Sequence, residues 1–217
     1  MKQRTLTKKM IIETGKEMFS CGLVVGTWGN ISARLPGEEN LLAITPSGMD
    51  YLSLTPEDLV LAELTGEIME GSRKPSIELP LHLAVYNARP EIQAVVHVHS
   101  VYATAWAAAR KSIPGALEDL VQIAGGDVKV ADYALPGTEE LGGNAVRALK
   151  GRQGVLLANH GLLGAGRDLK EALKVCQIVE KAAKTLLAAQ LLGGAVALSE
   201  EDILNMRDFY LNSYGQR

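Results

Sequence analysis

Cysteine is nearly absent. The two thiols, Cys21 and Cys176, are too few and too far apart for a disulfide framework, and both fall among helical apolar positions where a buried, inert thiol is expected. An excess of positive charge is missing too: 22 Lys and Arg against 25 Asp and Glu leave a net charge of −3, so no polycationic face for nucleic acid is implied. Long apolar runs are lacking as well. The start Met1-Lys2-Gln3-Arg4-Thr5 does not lead into the apolar core of a signal peptide, and the most apolar late stretch is interrupted by Lys184, Gln190 and two glycines. A cytoplasmic protein with neither nucleic acid nor membrane as partner is expected. Histidine is the last scarcity, with His82, His97, His99 and His160 the full set, and that makes their placement informative.

What is present is a 217-residue chain, 47% hydrophobic and 22% charged, long enough for one well-buried domain over residues 1–217 and short for two. Apolar Met10, Ile11, Thr14 and Met18 predict a covering helix from about Thr7 to Cys21, stopped by Gly22. Residues 26–34 and 41–49 read as strand-like runs of a hairpin joined by the polar turn 36–40, and residues 60–64 with 65–68 as another strand and turn. A loop over 72–76 enters an amphipathic helix carrying His82, for which a structural role is favoured. After a strand over 93–100 come an alanine-rich helix over 101–110, a break at Ile113-Pro114-Gly115, a loop or short strand reaching Gly125-Gly126, and a short strand at 128–130. Thr138 can cap a helix that begins with Glu139 and Glu140 and ends at Lys150-Gly151. A strand then leads to His160, a capping box at Asp168-Leu169-Lys170-Glu171 opens a helix to about Leu192, and Ser199 starts a last short one. Several strand connections are too short for a βαβ crossover. The fold class is therefore α/β (α+β), a three-layer sandwich whose central, largely antiparallel sheet is flanked by helices.

The chemistry centres on Gln93-Ala94-Val95-Val96-His97-Val98-His99-Ser100. Side chains on a strand repeat every second residue, so His97 and His99 share a face with Cα atoms roughly 6.5–7 Å apart, and imidazoles leaning together can each give one nitrogen to a zinc-sized cation. Two histidines alone do not close a metal site and read equally well as strand histidines paired with backbone. His160, at the end of the apolar run 154–161 where Gly161 turns the chain, is a candidate third ligand. Glu78 by itself is merely a carboxylate favourable to a helix N-terminus.

Taken together, four segments are specific: Gly26-Thr27-Trp28-Gly29-Asn30-Ile31-Ser32; Thr45-Pro46-Ser47-Gly48; Pro75-Ser76-Ile77-Glu78 with Val96-His97-Val98-His99; and Asn159-His160-Gly161. In this order and spacing they resemble the class II aldolase/adducin family, from about residue 7 to the C-terminus. Within it the chain is most similar to the L-fuculose-1-phosphate aldolase branch rather than the L-ribulose-5-phosphate 4-epimerase branch, because Glu78 stands where aldolases have a glutamate and epimerases usually have aspartate. The resemblance implies Zn2+, with Co2+ or Mn2+ as alternatives, held by His97, His99 and His160 with Glu78 as a fourth ligand. It further implies a homotetramer with sites at subunit interfaces, and a phosphorylated sugar bound through Gly29, Asn30, Ser47, Gly48 and Ser76.

The implied activity is reversible cleavage of a ketose 1-phosphate to dihydroxyacetone phosphate and a small aldehyde such as lactaldehyde. A cation stabilises charge on the ketone oxygen, and Glu78 moves the α-proton. Two departures stand out. Ile77 replaces a second serine that relatives carry, and where the family has an interface tyrosine this chain has Glu118 or Asp119. An acidic group there also fits 4-epimerisation, methylthioribulose-1-phosphate dehydration or sugar-acid phosphate decarboxylation on the same metal. Tyr214, in a tail that matches the aldolase C-terminus, is a candidate closing acid or lid. A non-enzymatic domain like the adducin head predicts loss of the metal ligands, which are all retained here.

Overall fold

In a computed structural model, which describes residues 2–215, an eight-stranded sheet separates two layers of helices. The elements in chain order are α1 (Lys2–Ser20), β1 (Asn30–Leu35), β2 (Glu38–Ile44), β3 (Val60–Glu63), β4 (Ile68–Glu70), α2 (Leu79–Ala88), β5 (Ala94–Val98), α3 (Val101–Ala108), α4 (Glu118–Ala124), β6 (Val130–Ala131), α5 (Glu139–Leu149), β7 (Gly154–Leu157), β8 (Gly161–Gly166), α6 (Leu169–Gln190) and α7 (Glu200–Asn212). The sheet runs β4-β3-β2-β1-β5-β8-β7-β6, antiparallel at every pairing except β6 with β7. The antiparallel sandwich read from the sequence is therefore the architecture observed.

Each face of the sheet has its own core. Ile31, Ala33 and Leu35 of β1 and Ala94, Val96 and Val98 of β5 pack against α1, α3, α4 and α6, whereas Val95 joins Leu81, Val85 and Leu141 on the face covered by α2 and α5. The period of two sends His97 to the α2 face with Val95. On β1 the same alternation puts Asn30, Ser32 and Arg34 on that face, all three buried, with Asn30 directly opposite His97 in the register. A buried polar strand face needs partners, and α2 supplies them.

Several local expectations change. The first helix begins at Lys2, and its buried stripe includes Ile11, Ile12, Thr14 and Met18 while Met10 is exposed, so the apolar face is rotated from the one read off the sequence. Residues 26–29 form a turn rather than strand, and the β1–β2 turn is only Pro36-Gly37. The segment read as a loop or short strand before Gly125 is α4, closed by Gly125 at φ 86°. A further strand, β8, follows His160; its glycines allow close approach of α6, since a Cβ on Gly164 would meet Ala172 O at 2.6 Å and Cys176 Sγ at 2.7 Å. The capping box of α6 is displaced by one residue: Asp168 accepts from Glu171 N–H, but the Glu171 carboxylate accepts from Arg167 N–H at 2.7 Å. The last helix, α7, is 13 residues long, not short. Among the described residues no helix is long and apolar enough to cross a membrane.

Candidate metal centre and phosphate cradle

Three segments converge at one end of β1 and β5. His97 is the fourth residue of β5 and His99 lies just past its end, while His160 sits in the β7–β8 turn, where Asn159 adopts φ 57° and its Oδ1 accepts from Arg110 Nε at 3.2 Å and Nη2 at 3.0 Å. Glu78 occupies the N-cap position of α2, ahead of Pro80 in the first turn. Separations are 2.9 Å between His97 Nε2 and His99 Nε2 and 3.3 Å between His97 Nε2 and His160 Nε2. Glu78 Oε2 lies 3.2 Å from His97 Nε2, and Oε1 lies 3.3 Å from His160 Nε2. The donor atoms of all four residues fall within 4.8 Å of one another.

That donor set fits a divalent cation. Ligands at about 2.0–2.1 Å in a tetrahedron are separated by roughly 3.3 Å, close to the spacings found here. Three imidazoles pressed nitrogen to nitrogen cannot all be hydrogen-bonded, because the single lone pair on His97 Nε2 can accept from only one of its two neighbours. His97 Nδ1 donates to Leu162 O at 3.0 Å, which leaves its Nε2 unprotonated toward the centre. Burial, followed by the neighbouring His99, pushes His97 down to about 3, and burial lowers His99. Burial, followed by His97, takes His160 down to about 4, so all three rings are neutral and fit to ligate near pH 7. Glu78 Oε1 is buried with no hydrogen-bond partner among the described residues, so it is open to a cation or, once a substrate oxygen takes that place, to a proton.

A cavity of about 380 Å³ opens over the cluster, lined by Glu78, His99 and His160 on one side and by Gly29, Asn30, Ser47, Gly48 and Ser76 on the other. The second group is clasped together by backbone pairing: Ser47 N–H donates to Lys74 O and Ser76 N–H to Thr45 O, at 3.0 and 3.1 Å. Tyr51, packed on Gly15 of α1, holds the loop from below by donating its hydroxyl to Gly29 O at 2.6 Å. Ser76 Oγ accepts from Glu78 N–H at 3.2 Å, which leaves its proton for a ligand. Asn30 Nδ2 donates one hydrogen to Glu78 Oε2 at 2.8 Å and keeps its second. No Lys or Arg lines this cavity among the described residues, so an anion would be held by neutral donors beside the cation.

Three sequence candidates lie elsewhere in the chain. Glu118 and Asp119 open α4, with Asp119 paired to Lys181 Nζ at 2.8 Å, and Tyr214 is exposed beside the rings of Tyr210 and Phe209. None of the three lines the cavity. Conversely, the sequence did not single out Trp28, Ile77 and Pro136 as an apolar wall; Trp28 lies 5.6 Å from the His99 ring, and exposed aromatics in glycine-rich turns carry no periodic signal. His82, favoured as structural, is fully buried between Ser32 and Asn30, and burial pushes it down to about 3.

Residues 9–187 match the family model described as Class II Aldolase and Adducin N-terminal domain. The chain is 39% identical to a 5-deoxy-D-ribulose 1-phosphate aldolase of Bacillus thuringiensis serovar kurstaki, over 97% of each chain. It is 36% identical to the L-fuculose phosphate aldolase of Escherichia coli K12, over 99% of this chain and 98% of that one. A solved L-fuculose 1-phosphate aldolase superimposes with a TM-score of 0.91 at 38% identity, covering 94% of this chain and 96% of that one. The chain thus belongs to the class II aldolase and adducin family, whose aldolases are metal-dependent, and within it to the carbon–carbon lyases.

Proposed function

We propose that this protein is a zinc-dependent aldolase that reversibly cleaves a ketose 1-phosphate into dihydroxyacetone phosphate and a small, methyl-ended aldehyde of the lactaldehyde type. The observation that carries this reading is the unpartnered Glu78 Oε1, set among three neutral imidazoles and facing a cavity whose opposite wall is a serine- and glycine-rich cradle. His97, His99, His160 and Glu78 would hold the cation; its N/O donor set suits zinc, with cobalt or manganese as substitutes. Bound there, the cation supplies Lewis acidity toward the negative charge that develops on the ketone oxygen as the carbon–carbon bond breaks.

The chain's own residues do the rest. Gly29, Asn30, Ser47, Gly48 and Ser76 bind the phosphate and so fix the distance from it to the reacting carbons. Glu78 Oε1 moves the α-proton: it takes the proton from dihydroxyacetone phosphate in the condensing direction and returns it after cleavage. Trp28, Ile77 and Pro136 shield that exchange from water and offer a dry surface to a methyl group. One relative, the 5-deoxy-D-ribulose 1-phosphate aldolase, acts by name on a deoxy sugar phosphate, in accord with such a wall.

The assembly completing the site is a homotetramer, in which Glu118 or Asp119 and Tyr214 of one copy would serve as acid and lid at the cavity of another. Their position outside their own cavity supports this, as does the exposure of Trp28 and Ile77 in its lining. Free Cys21 and Cys176 accord with a reducing cytoplasm.

Glu78→Gln tests the reading. Asn30 Nδ2 must face the new carbonyl oxygen, which turns the new NH2 toward His160, so the variant should fold and keep part of its metal affinity. It should lose about 10²–10⁴-fold in turnover, the usual contribution of a proton-transfer group. Cleavage of 5-deoxyribulose 1-phosphate and fuculose 1-phosphate, followed by product analysis, provides the assay. Wild-type turnover in the variant, or a purified protein that binds no divalent metal, would exclude the proposal.

A further inference from the structure

Between β1 and α2 lies a buried polar ladder of which the aldolase chemistry as described uses only Glu78 and Asn30. On α2 the residues Glu78, His82 and Tyr86 recur every four positions, and on β1 Asn30, Ser32 and Arg34 recur every two. Four helical residues rise about 6 Å and two strand residues about 6.6 Å, so the two series stay in step. The contacts follow rung by rung. Asn30 Nδ2 lies 2.8 Å from Glu78 Oε2, His82 Nε2 lies 2.6 Å from Asn30 Oδ1, and Ser32 Oγ lies 2.6 Å from His82 Nδ1 and 2.8 Å from Tyr86 Oη. Every member of this series is buried.

The chemistry of the groups allows a single direction of donation along it. A carboxylate only accepts, so Asn30 presents its NH2 to Glu78 and its carbonyl to His82. That carbonyl also only accepts, so the ring proton of neutral His82 sits on Nε2. Nδ1 then carries a lone pair, Ser32 must donate to it, and Tyr86 must donate to Ser32. Arg34 closes the far end, donating to Tyr86 O at 2.8 Å with its guanidinium 4.9 Å from the Tyr86 ring centroid.

We propose that His82 is a positioning residue for proton transfer: by holding its proton on Nε2 it locks the Asn30 amide, which ties down Glu78 Oε2 and leaves Oε1 as the one oxygen free to meet the α-proton. This rests on the aldolase reading for its kinetic consequence but not for its structural one. Were the imidazole proton on Nδ1, the Asn30 amide would turn over and set its carbonyl against the carboxylate, and Glu78 would swing away from its present aim.

The direct test is nitrogen-15 NMR of the full-length, zinc-loaded protein, in which four histidines give few signals to assign. The expected spectrum shows His82 protonated at Nε2 and bare at Nδ1; a proton on Nδ1 overturns the proposal. The kinetic test compares His82→Gln, whose amide N–H can replace the Nε2 proton, with His82→Leu, which has no donor. The readout is exchange of the α-hydrogen of dihydroxyacetone phosphate with deuterated solvent. His82→Leu should lose about 10–100-fold in kcat, the range typical of groups that orient a metal ligand, with KM changed less than about threefold, and His82→Gln should regain most of it. Equal losses in both variants mean mere packing and overturn the proposal, as does full activity in a folded His82→Leu enzyme. If His82→Leu does not fold, the tautomer measured on the wild-type protein decides alone. If the wild type exchanges no hydrogen at all, the aldolase reading has failed, and the His82 tautomer still decides this inference by itself.

Discussion

Gly29 is where the candidate phosphate cradle, β1 and the candidate metal centre meet, and Gly29→Ala probes all three. The residue has φ +85°, and an added Cβ would lie 2.6 Å from His97 O and 2.8 Å from Val24 Cγ1. Two costs combine. The left-handed backbone costs a non-glycine residue about 1–2 kcal/mol, and forcing one carbon into a packed site costs about 1–3 kcal/mol more. A loss of about 2–5 kcal/mol converts, at roughly 2–4 °C per kcal/mol for a domain of this size, into a fall in Tm on the order of 10 °C. Gly22→Ala separates the two costs, because Gly22 also has positive φ, +69°, but its Cβ would meet nothing within 4 Å. That control should lose only the backbone part, about 1–2 kcal/mol. Calorimetry of both variants, metal-free and zinc-loaded, measures the difference. The clash falls on the carbonyl of His97, so Gly29→Ala should also weaken zinc binding while Gly22→Ala leaves it unchanged. If the two variants melt together and bind zinc alike, the close approach of Gly29 to His97 is not what requires glycine there.

Arg34 donates to Ile92 O, Glu39 O and Tyr86 O at 3.0, 2.7 and 2.8 Å from a buried position. Arg34→Met should therefore cost about 3–5 kcal/mol, read by denaturant unfolding, since it removes a charged donor and leaves three acceptors unpaired; a loss under about 1 kcal/mol would show that water replaces it. At the start of α6, burial pushes the Glu171 carboxyl up, but the Arg167 guanidinium and backbone N–H outweigh it and hold the group below its usual range. Its folded value being the lower one, it stabilises the fold above the ordinary carboxylate value of about 4.3, and that contribution is lost as pH falls further. Glu171→Gln should flatten the acid limb of a stability–pH profile between about pH 5 and 3; an unchanged slope would count against the pair.

The pairing of His97 with His99 was legible because its signal is local. A strand's period of two puts His97 and His99 side by side whatever the rest of the chain does, and a glycine after His160 marks a turn. The antiparallel sandwich was legible for a similar reason, since short connections exclude crossovers. Other features carry signals of the wrong length. At seven residues, α4 lies between Pro114-Gly115 and Gly125-Gly126, too short for helical periodicity to outweigh its flanking breakers. Strand β8 holds three glycines because α6 lies almost on its backbone, and composition alone reads such a segment as loop. The polar ladder is different, for both of its periods are written plainly in 30–34 and 78–86. They become meaningful only when the strand and helix are known to lie side by side, which no single-segment pattern can supply.

The charge distribution around the cavity bears on reversibility. A sugar phosphate brings about two negative charges, yet among the described residues the cradle offers hydroxyls, amides and glycine backbone, without lysine or arginine. On the proposed reading, attraction would come from the divalent cation, partly offset by Glu78, and from the N-terminal end of α2 behind Ser76. Phosphate and reacting carbons thus draw on the same source of positive charge, and a bound phosphate is not locked by a salt bridge of its own. If the proposed function holds, an aldolase that must release dihydroxyacetone phosphate as readily as it takes it up gains from that balance, because ground-state binding stronger than this would slow product release without lowering the barrier to proton transfer. The ladder from Tyr86 to Glu78 complements it: with so little charge in the cavity, the direction in which one carboxylate oxygen points decides where the α-proton goes.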